Sequence, residues 1–222
     1  MPERALLILA DIAGYTEFMR LHRLNLAHSQ EVTRRLLESM LDAVPGLELV
    51  EVEGDALFLS APQESSWLPA ALAMYQAFHR KQQWMVAHNL CVCDACRQIG
   101  KLHVKFVAHL GEVARQRIRD SEKLVGVDVI AVHRMLKNEV PASEYVLVSE
   151  PLYESLEPDV RDRAVRVDHE LEGLGRVPLY FVELDDLPIE LPPAPSPSLP
   201  ARIRETLSLG LRAFPRVLRS AG

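Results

Sequence analysis

Two apolar runs that each end on an acid constrain this chain most. Ala5–Ala10 is uninterruptedly apolar and runs into Asp11-Ile-Ala-Gly-Tyr-Thr16, while Leu47–Val52 leads into Glu51-Val-Glu-Gly-Asp55. A continuous apolar run of this length predicts a strand buried on both faces. Gly14 shortly after Asp11 and Gly54 just before Asp55 predict sharp turns, so each strand delivers one carboxylate to its end. Paired carboxylates are oxygen ligands for a hard cation such as Mg²⁺, which is usually shared with substrate phosphates.

The 222 residues, 48% of them hydrophobic, can bury a full core. A net charge of −6 argues against nucleic acid as a partner, since such proteins present a basic surface. No apolar stretch is long enough to span a bilayer and the N-terminus lacks the form of a signal peptide, so a cytoplasmic protein is expected. Three cysteines are an odd number and form no disulfide framework.

Periodicity predicts strands at Ala5–Asp11, Leu47–Val52, Ala56–Ala61, Leu102–Leu110, Val113–Ile118, Glu144–Ser149 and Val177–Leu184. Val113–Ile118 is expected to pair with Leu102–Leu110. Helices are predicted from Thr16 to about Val44, carrying Phe18, Leu21, Val32, Leu36 and Met40, from Pro69 to about His88, and over Val127–Leu136. This order implies an α+β sandwich with a mostly antiparallel sheet covered by helices. The domain is expected to occupy 1–186. Six prolines between Pro188 and Pro200 predict a stiff linker over 187–200. A basic amphipathic tail over 201–222 follows, with Ile203, Leu207, Leu211, Phe214 and Leu218 on one helical face and Pro215 as an interruption. Such a tail can meet a membrane surface or a partner protein, or pack back on its own domain.

Cys91, Cys93 and Cys96 supply three soft ligands in a polar hinge. His88 or His103 is the expected fourth ligand of a tetrahedral Zn²⁺ site, against the alternative of three reduced thiols. The remaining histidines, including His22, His28, His79, His109, His133 and His169, show no ligand spacing and are expected to be structural.

Asp11-Ile-Ala-Gly-Tyr-Thr, Gly54-Asp55 and Gly126-Val-Asp-Val-Ile-Ala-Val-His-Arg134 together resemble the class III nucleotidyl cyclase homology domain. His28-Ser, Glu51-Val-Glu-Gly-Asp-Ala, Cys91-Val-Cys-Asp-Ala-Cys and His133-Arg-Met-Leu-Lys-Asn138 are similar to a bacterial subgroup of unknown function. The resemblance covers roughly residues 4–185 and implies a ferredoxin-like sandwich of the nucleotide cyclase type. It implies a homodimer, with Asp11, Asp55 and the carbonyl of Ile12 holding Mg²⁺ or Mn²⁺ and Arg134 stabilising charge on the phosphates of a nucleoside triphosphate. Glu51 and Lys123 stand at the base-reading positions with charges exchanged relative to adenine-specific members. A carboxylate can accept from guanine N1–H and its amino group while an ammonium donates to O6, which gives GTP a slight preference; an ion pair of the two across the dimer interface is the alternative.

Two positions depart from the family pattern. Ile130 replaces the asparagine that orients the ribose, and Glu172 replaces a triphosphate-binding lysine and would repel the phosphates unless nearby Arg176 compensates. Three readings therefore stand: a divergent nucleotide-binding cyclase homologue with turnover weakened, a nucleotide or metal sensor without turnover, and a dimeric scaffold.

Overall fold

The computed structural model describes residues 2–20, 26–91 and 93–213. Leu21, His22, Phe214, Pro215 and Leu218, to which the sequence assigned roles, lie outside the described residues, and the Leu211 side chain is not described.

β1 (Glu3–Ala13) is buried from Ala5 through Ala10, which accounts for its uninterrupted apolar run. It pairs antiparallel with β3 (Ala56–Pro62) in a register that sets Asp11 opposite Ala56. β2 (Glu48–Glu53) pairs antiparallel with β3 through the turn that holds Gly54. Gly54 has φ of +69°, a conformation that costs a side chain but not glycine.

β4 (His103–Ile118) pairs antiparallel with β5 (Ser121–Val125) and parallel with β6 (Tyr145–Ser149). β6 pairs antiparallel with β8 (Gly175–Glu183), which pairs antiparallel with β7 (Val165–Leu171). The eight-stranded sheet runs β2-β3-β1-β4-β6-β8-β7, with β5 on β4. The fold is α+β with a mostly antiparallel sheet, as the sequence implied.

The helices are α1 (Tyr15–Arg20), α2 (Leu26–Asp42), α3 (Trp67–His88), α4 (Asp94–Gln98), α5 (Val127–Met135), α6 (Glu150–Glu154), α7 (Pro158–Arg161) and α8 (Leu199–Ala213). No described helix is long and apolar enough to cross a membrane.

The chain divides into two compact units. The first comprises Met1–Asp11, Val44–Leu72 and Val104–Ile189 and carries the sheet with α5, α6 and α7. On one sheet face Leu7, Leu9, Phe58, Val107, Leu147, Leu179 and Phe181 pack with Ala131, Val132 and Met135 of α5. Burial of each such side chain contributes about 1.5–3 kcal/mol.

The second unit comprises Ile12–Ala43, Ala73–His103 and Glu190–Gly222. Here α8 is fastened by Glu205, whose carboxylate pairs with Arg35 of α2 and accepts from Trp84 Nε1 at 3.3 Å. Arg35 also donates to Glu31 at 2.7 Å and to Ser208 Oγ at 3.0 Å. The described part of the tail thus docks through its polar side, while Leu199, Ile203 and Leu207 are exposed.

One element prediction is corrected. Val113–Ile118 is no separate strand; β4 continues through Gly111 and its hairpin partner is β5. Gly111 marks close approach, since a Cβ there would stand 2.2 Å from the Asp128 Cβ. Within the helix predicted from Thr16 to about Val44 the structure describes α1 and α2, and residues 21–25 between them lie outside the described set.

Candidate functional site

The first unit brings Asp11 and Asp55 together at the end of the β1–β3 ladder. Asp11 opposes Ala56, so Asp55 is one residue beyond that pair. Burial pushes the Asp55 carboxyl up, and the Asp11 charge pushes it further, to about 6; its own backbone N–H and Lys105 pull weakly the other way. Asp55 is half-buried, so its charge is neither fully hydrated nor neutralised by the acid beside it. Lys105 of β4 sets its Nζ 3.2 Å from Asp11. Ile12 follows Asp11 in β1 with its side chain buried.

Sequence reasoning missed Lys105. The signal was present: it is the one charged residue in the run Val104-Lys-Phe-Val-Ala108, where its neighbours are buried. A lone charge in a buried strand needs a partner, and Asp11 is that partner.

Glu51 and Lys123 also meet, within one chain. The Lys123 ammonium donates to both Glu51 carboxylate oxygens, at 3.0 and 2.9 Å. Each is 41–50% exposed, so the pair contributes about 0–1 kcal/mol and opens readily. Glu53 accepts from His133 Nε2 at 2.7 Å, and Nδ1 of the same ring faces the Val129 carbonyl at the same distance. Glu51 and Glu53 are thus partnered by Lys123 and His133, while Asp55 stands beside the Lys105–Asp11 pair and is pushed up by the Asp11 charge.

Arg134 lies further along α5 and lines a cavity of about 570 Å³ with Ile130, His133, Lys137, His169 and Glu172. Its guanidinium rests against Gly173, where an added Cβ would meet Nη1 at 3.2 Å. Ile130 is 48% exposed on the same helix and adds an apolar side chain to the cavity lining. Arg176 does not line this cavity; its guanidinium is 4.0 Å from Asp168, and Glu172 shares the cavity with Arg134 and Lys137.

α5 is placed by Asp128, which accepts from the Glu112 N–H at 2.6 Å and contacts His109 Nε2 at 3.0 Å. Burial raises the Asp128 carboxyl, but these two partners outweigh it and the net direction is down.

The second unit gathers the cysteines. His28, Cys91, Cys93 and Cys96 place their ligand atoms within 4.8 Å of one another. Neither His88 nor His103 is in this group. The His88 ring stacks on Trp84 at 3.9 Å between centroids and its Nδ1 faces the Trp84 carbonyl at 3.0 Å. Spacing favoured His88 because it is near in sequence; His28, some sixty residues away, arrives through α2. Burial pushes the Cys96 thiol up, with Cys93 and Cys91 adding to it. Burial also raises Cys91, but the Cys93 N–H and the Cys93 and Cys96 thiols outweigh it and lower it.

A family model described as "Protein of unknown function (DUF2652)" matches residues 33–145, just over half of the chain. The chain belongs to the DUF2652 family. The match takes in Asp55, the three cysteines, Lys105, Lys123 and Arg134. A chain of Mycobacterium tuberculosis, named "Uncharacterized protein Rv2561/Rv2562", is 39% identical over 163 residues, 71% of this chain and 77% of that protein.

Among solved structures, the guanylyl cyclase Cya2 superposes with a TM-score of 0.60 at 15% identity, over 86% of this chain and 98% of that one. The adenylyl cyclase CyaB from P. aeruginosa gives 0.56 at 17% identity, over 84% and 98%. A bacterial light-regulated adenylyl cyclase gives 0.61 at 12% identity over 96% of this chain, which spans only 58% of that protein's length. This DUF2652 member therefore has the class III cyclase fold.

Proposed function

We propose that this protein binds a nucleoside triphosphate together with a divalent cation, in a homodimer, and cyclises it slowly or not at all. The observation that carries the reading is the convergence of Asp11 and Asp55, with Asp55 pushed up to about 6 by burial and by the Asp11 charge. Two carboxylates so placed fit a hard cation, since their mutual cost is relieved when the cation arrives. Asp11, Asp55 and the Ile12 carbonyl would hold Mg²⁺ or Mn²⁺, which neutralises phosphate charge and orients the triphosphate.

The other residues act directly on the nucleotide. Arg134 and Lys137 supply positive charge for phosphate oxygens. Once their exposed ion pair opens, Glu51 accepts from guanine donors and Lys123 donates to O6, which favours GTP. Ile130 offers no hydrogen bond to a ribose and Glu172 repels phosphate. The loss of one transition-state donor typically costs ~3–4 kcal/mol, or 10²–10³ in rate, so two departures leave binding with little turnover.

A specific observation favours a second reading, the nucleotide sensor without a cation. Lys105 beside Asp11 already supplies one positive charge at the acid pair. The reduced thiols suit a cytoplasmic setting. The exposed row Leu199, Ile203 and Leu207 is the surface through which the tail would meet a membrane or partner protein.

The test is a binding screen with GTP, ATP, CTP and UTP, each with Mg²⁺ or Mn²⁺, followed by chromatography of the products. Cation-dependent binding with GTP tightest supports the proposal. Binding indifferent to cation moves it to the sensor reading, and no binding of any nucleotide sinks both.

A further inference from the structure

His28 Nδ1 lies 3.5 Å from the Cys93 sulfur and 3.7 Å from the Cys91 sulfur. One ring nitrogen carries either one proton or one lone pair, so it can serve one thiol as a hydrogen-bond partner and not two. Two sulfurs at nearly equal distance are what ligands around a shared central ion look like. With Zn–S of ~2.3 Å and Zn–N of ~2.0–2.1 Å, tetrahedral geometry sets each S···N edge at about 3.6 Å and each S···S edge at about 3.8 Å. The two observed edges bracket the first value, and all four ligand atoms fall within 4.8 Å of one another.

The surroundings fit a closed site. Cys96 is buried, and Cys91, Cys93 and His28 are half-buried. The Cys91 N–H donates to Asn89 Oδ1 at 2.8 Å, which fixes the turn just past α3 that brings the first two sulfurs round. Cys96 follows in α4, and all three cysteines are free of disulfides. His28 stands in the first turn of α2, so the fourth ligand comes from a different part of the chain.

We propose that Cys91, Cys93, Cys96 and His28 form a Zn²⁺ site that clamps the first turn of α2 to the segment joining α3 and α4. Four protein ligands leave no position for water, so the ion is structural and does not activate a nucleophile. It joins positions 68 apart in the sequence (96 minus 28), a long segment whose closure entropy the ion offsets in the folded state. The site is independent of the nucleotide reading.

The test is elemental analysis of the full chain, produced with zinc in the medium and purified without chelator, for the wild type and single variants. One zinc per chain is expected in the wild type. His28→Ala and Cys96→Ser should lose zinc at least about five-fold, while His88→Gln should keep it. If Cys96→Ser does not fold, Co²⁺ substitution of the wild-type chain decides. Visible absorption of tetrahedral thiolate-bound Co²⁺, displaced by Zn²⁺, supports the site. Folded wild-type protein with neither zinc nor a cobalt spectrum overturns it. Full zinc retention in His28→Ala overturns the assignment of the fourth ligand.

Discussion

Lys105 Nζ stands 3.2 Å from the Asp11 carboxylate, so β4 delivers a positive charge to a corner built from two acids. With side chains only 21% and 16% exposed, this is a sheltered pair, and removing one partner leaves the other charge poorly solvated. Lys105→Met should lower stability without added cation at pH 8 by about 1–2 kcal/mol, and a divalent ion should recover most of it. Denaturant titration with EDTA or with Mg²⁺ measures both. Equal loss under the two conditions would separate Lys105 from the cation site.

Asp55 gives the pH dependence. Its folded value of about 6 lies above the ordinary 3.8, so the neutral carboxyl stabilises the fold. That contribution is complete below 3.8 and is lost as pH rises through about 6. The shift corresponds to at most about 3 kcal/mol, reduced to about 1–2 kcal/mol by solvent screening of a half-buried group. Asp55→Asn should therefore be more stable than wild type by that amount at pH 8 in EDTA, with the difference gone near pH 4. Unfolding at pH 4, 6 and 8 reads it, and an Asn variant less stable at every pH would refute the assignment.

For the exposed Glu51–Lys123 pair, a small stability effect and a large selectivity effect are expected together. Glu51→Ala should change stability by less than about 1 kcal/mol. Its preference for GTP over ATP should fall at least about ten-fold, the equivalent of ~1.4 kcal/mol. Unchanged selectivity in competition binding would reduce the pair to a surface ion pair.

Glu205 should matter far more to stability than its place near the tail suggests. Its carboxylate meets Arg35 and Trp84 in a buried setting, and the adjacent Thr206 Oγ accepts from the Leu90 N–H at 2.9 Å. Glu205→Ala leaves Arg35 with Glu31 as its remaining acid and should cost about 2–4 kcal/mol by urea unfolding. A cost under about 0.5 kcal/mol would mean α8 is not held by this pair.

Much of the fold was legible because the strands announce themselves by burial. The buried run of β1 and the alternation of β4 need no tertiary information, and Gly54 marks its own turn. β5 and β7 were not legible: Ser121–Val125 and Val165–Leu171 are short and charged, and each is a strand because of the neighbour it pairs with. Sequence likewise placed Asp11 and Asp55 on two strand ends, where antiparallel pairing brings them together. It held a signal for Lys105, a lone charge in a buried run, but not its partner, which depends on β4 lying next to β1. Nor could it supply His28, because local spacing favours a histidine near the cysteines whereas the chain delivers one from another helix.

The most direct measurement is GTP affinity with Mn²⁺ at pH 8 for wild type, Asp11→Asn and Asp55→Asn, by titration calorimetry. If the two carboxylates jointly hold the cation that carries the triphosphate, either change should weaken binding at least about ten-fold, and EDTA should weaken the wild type to the same level. Tight binding that survives both substitutions and EDTA would contradict a cation site at Asp11 and Asp55.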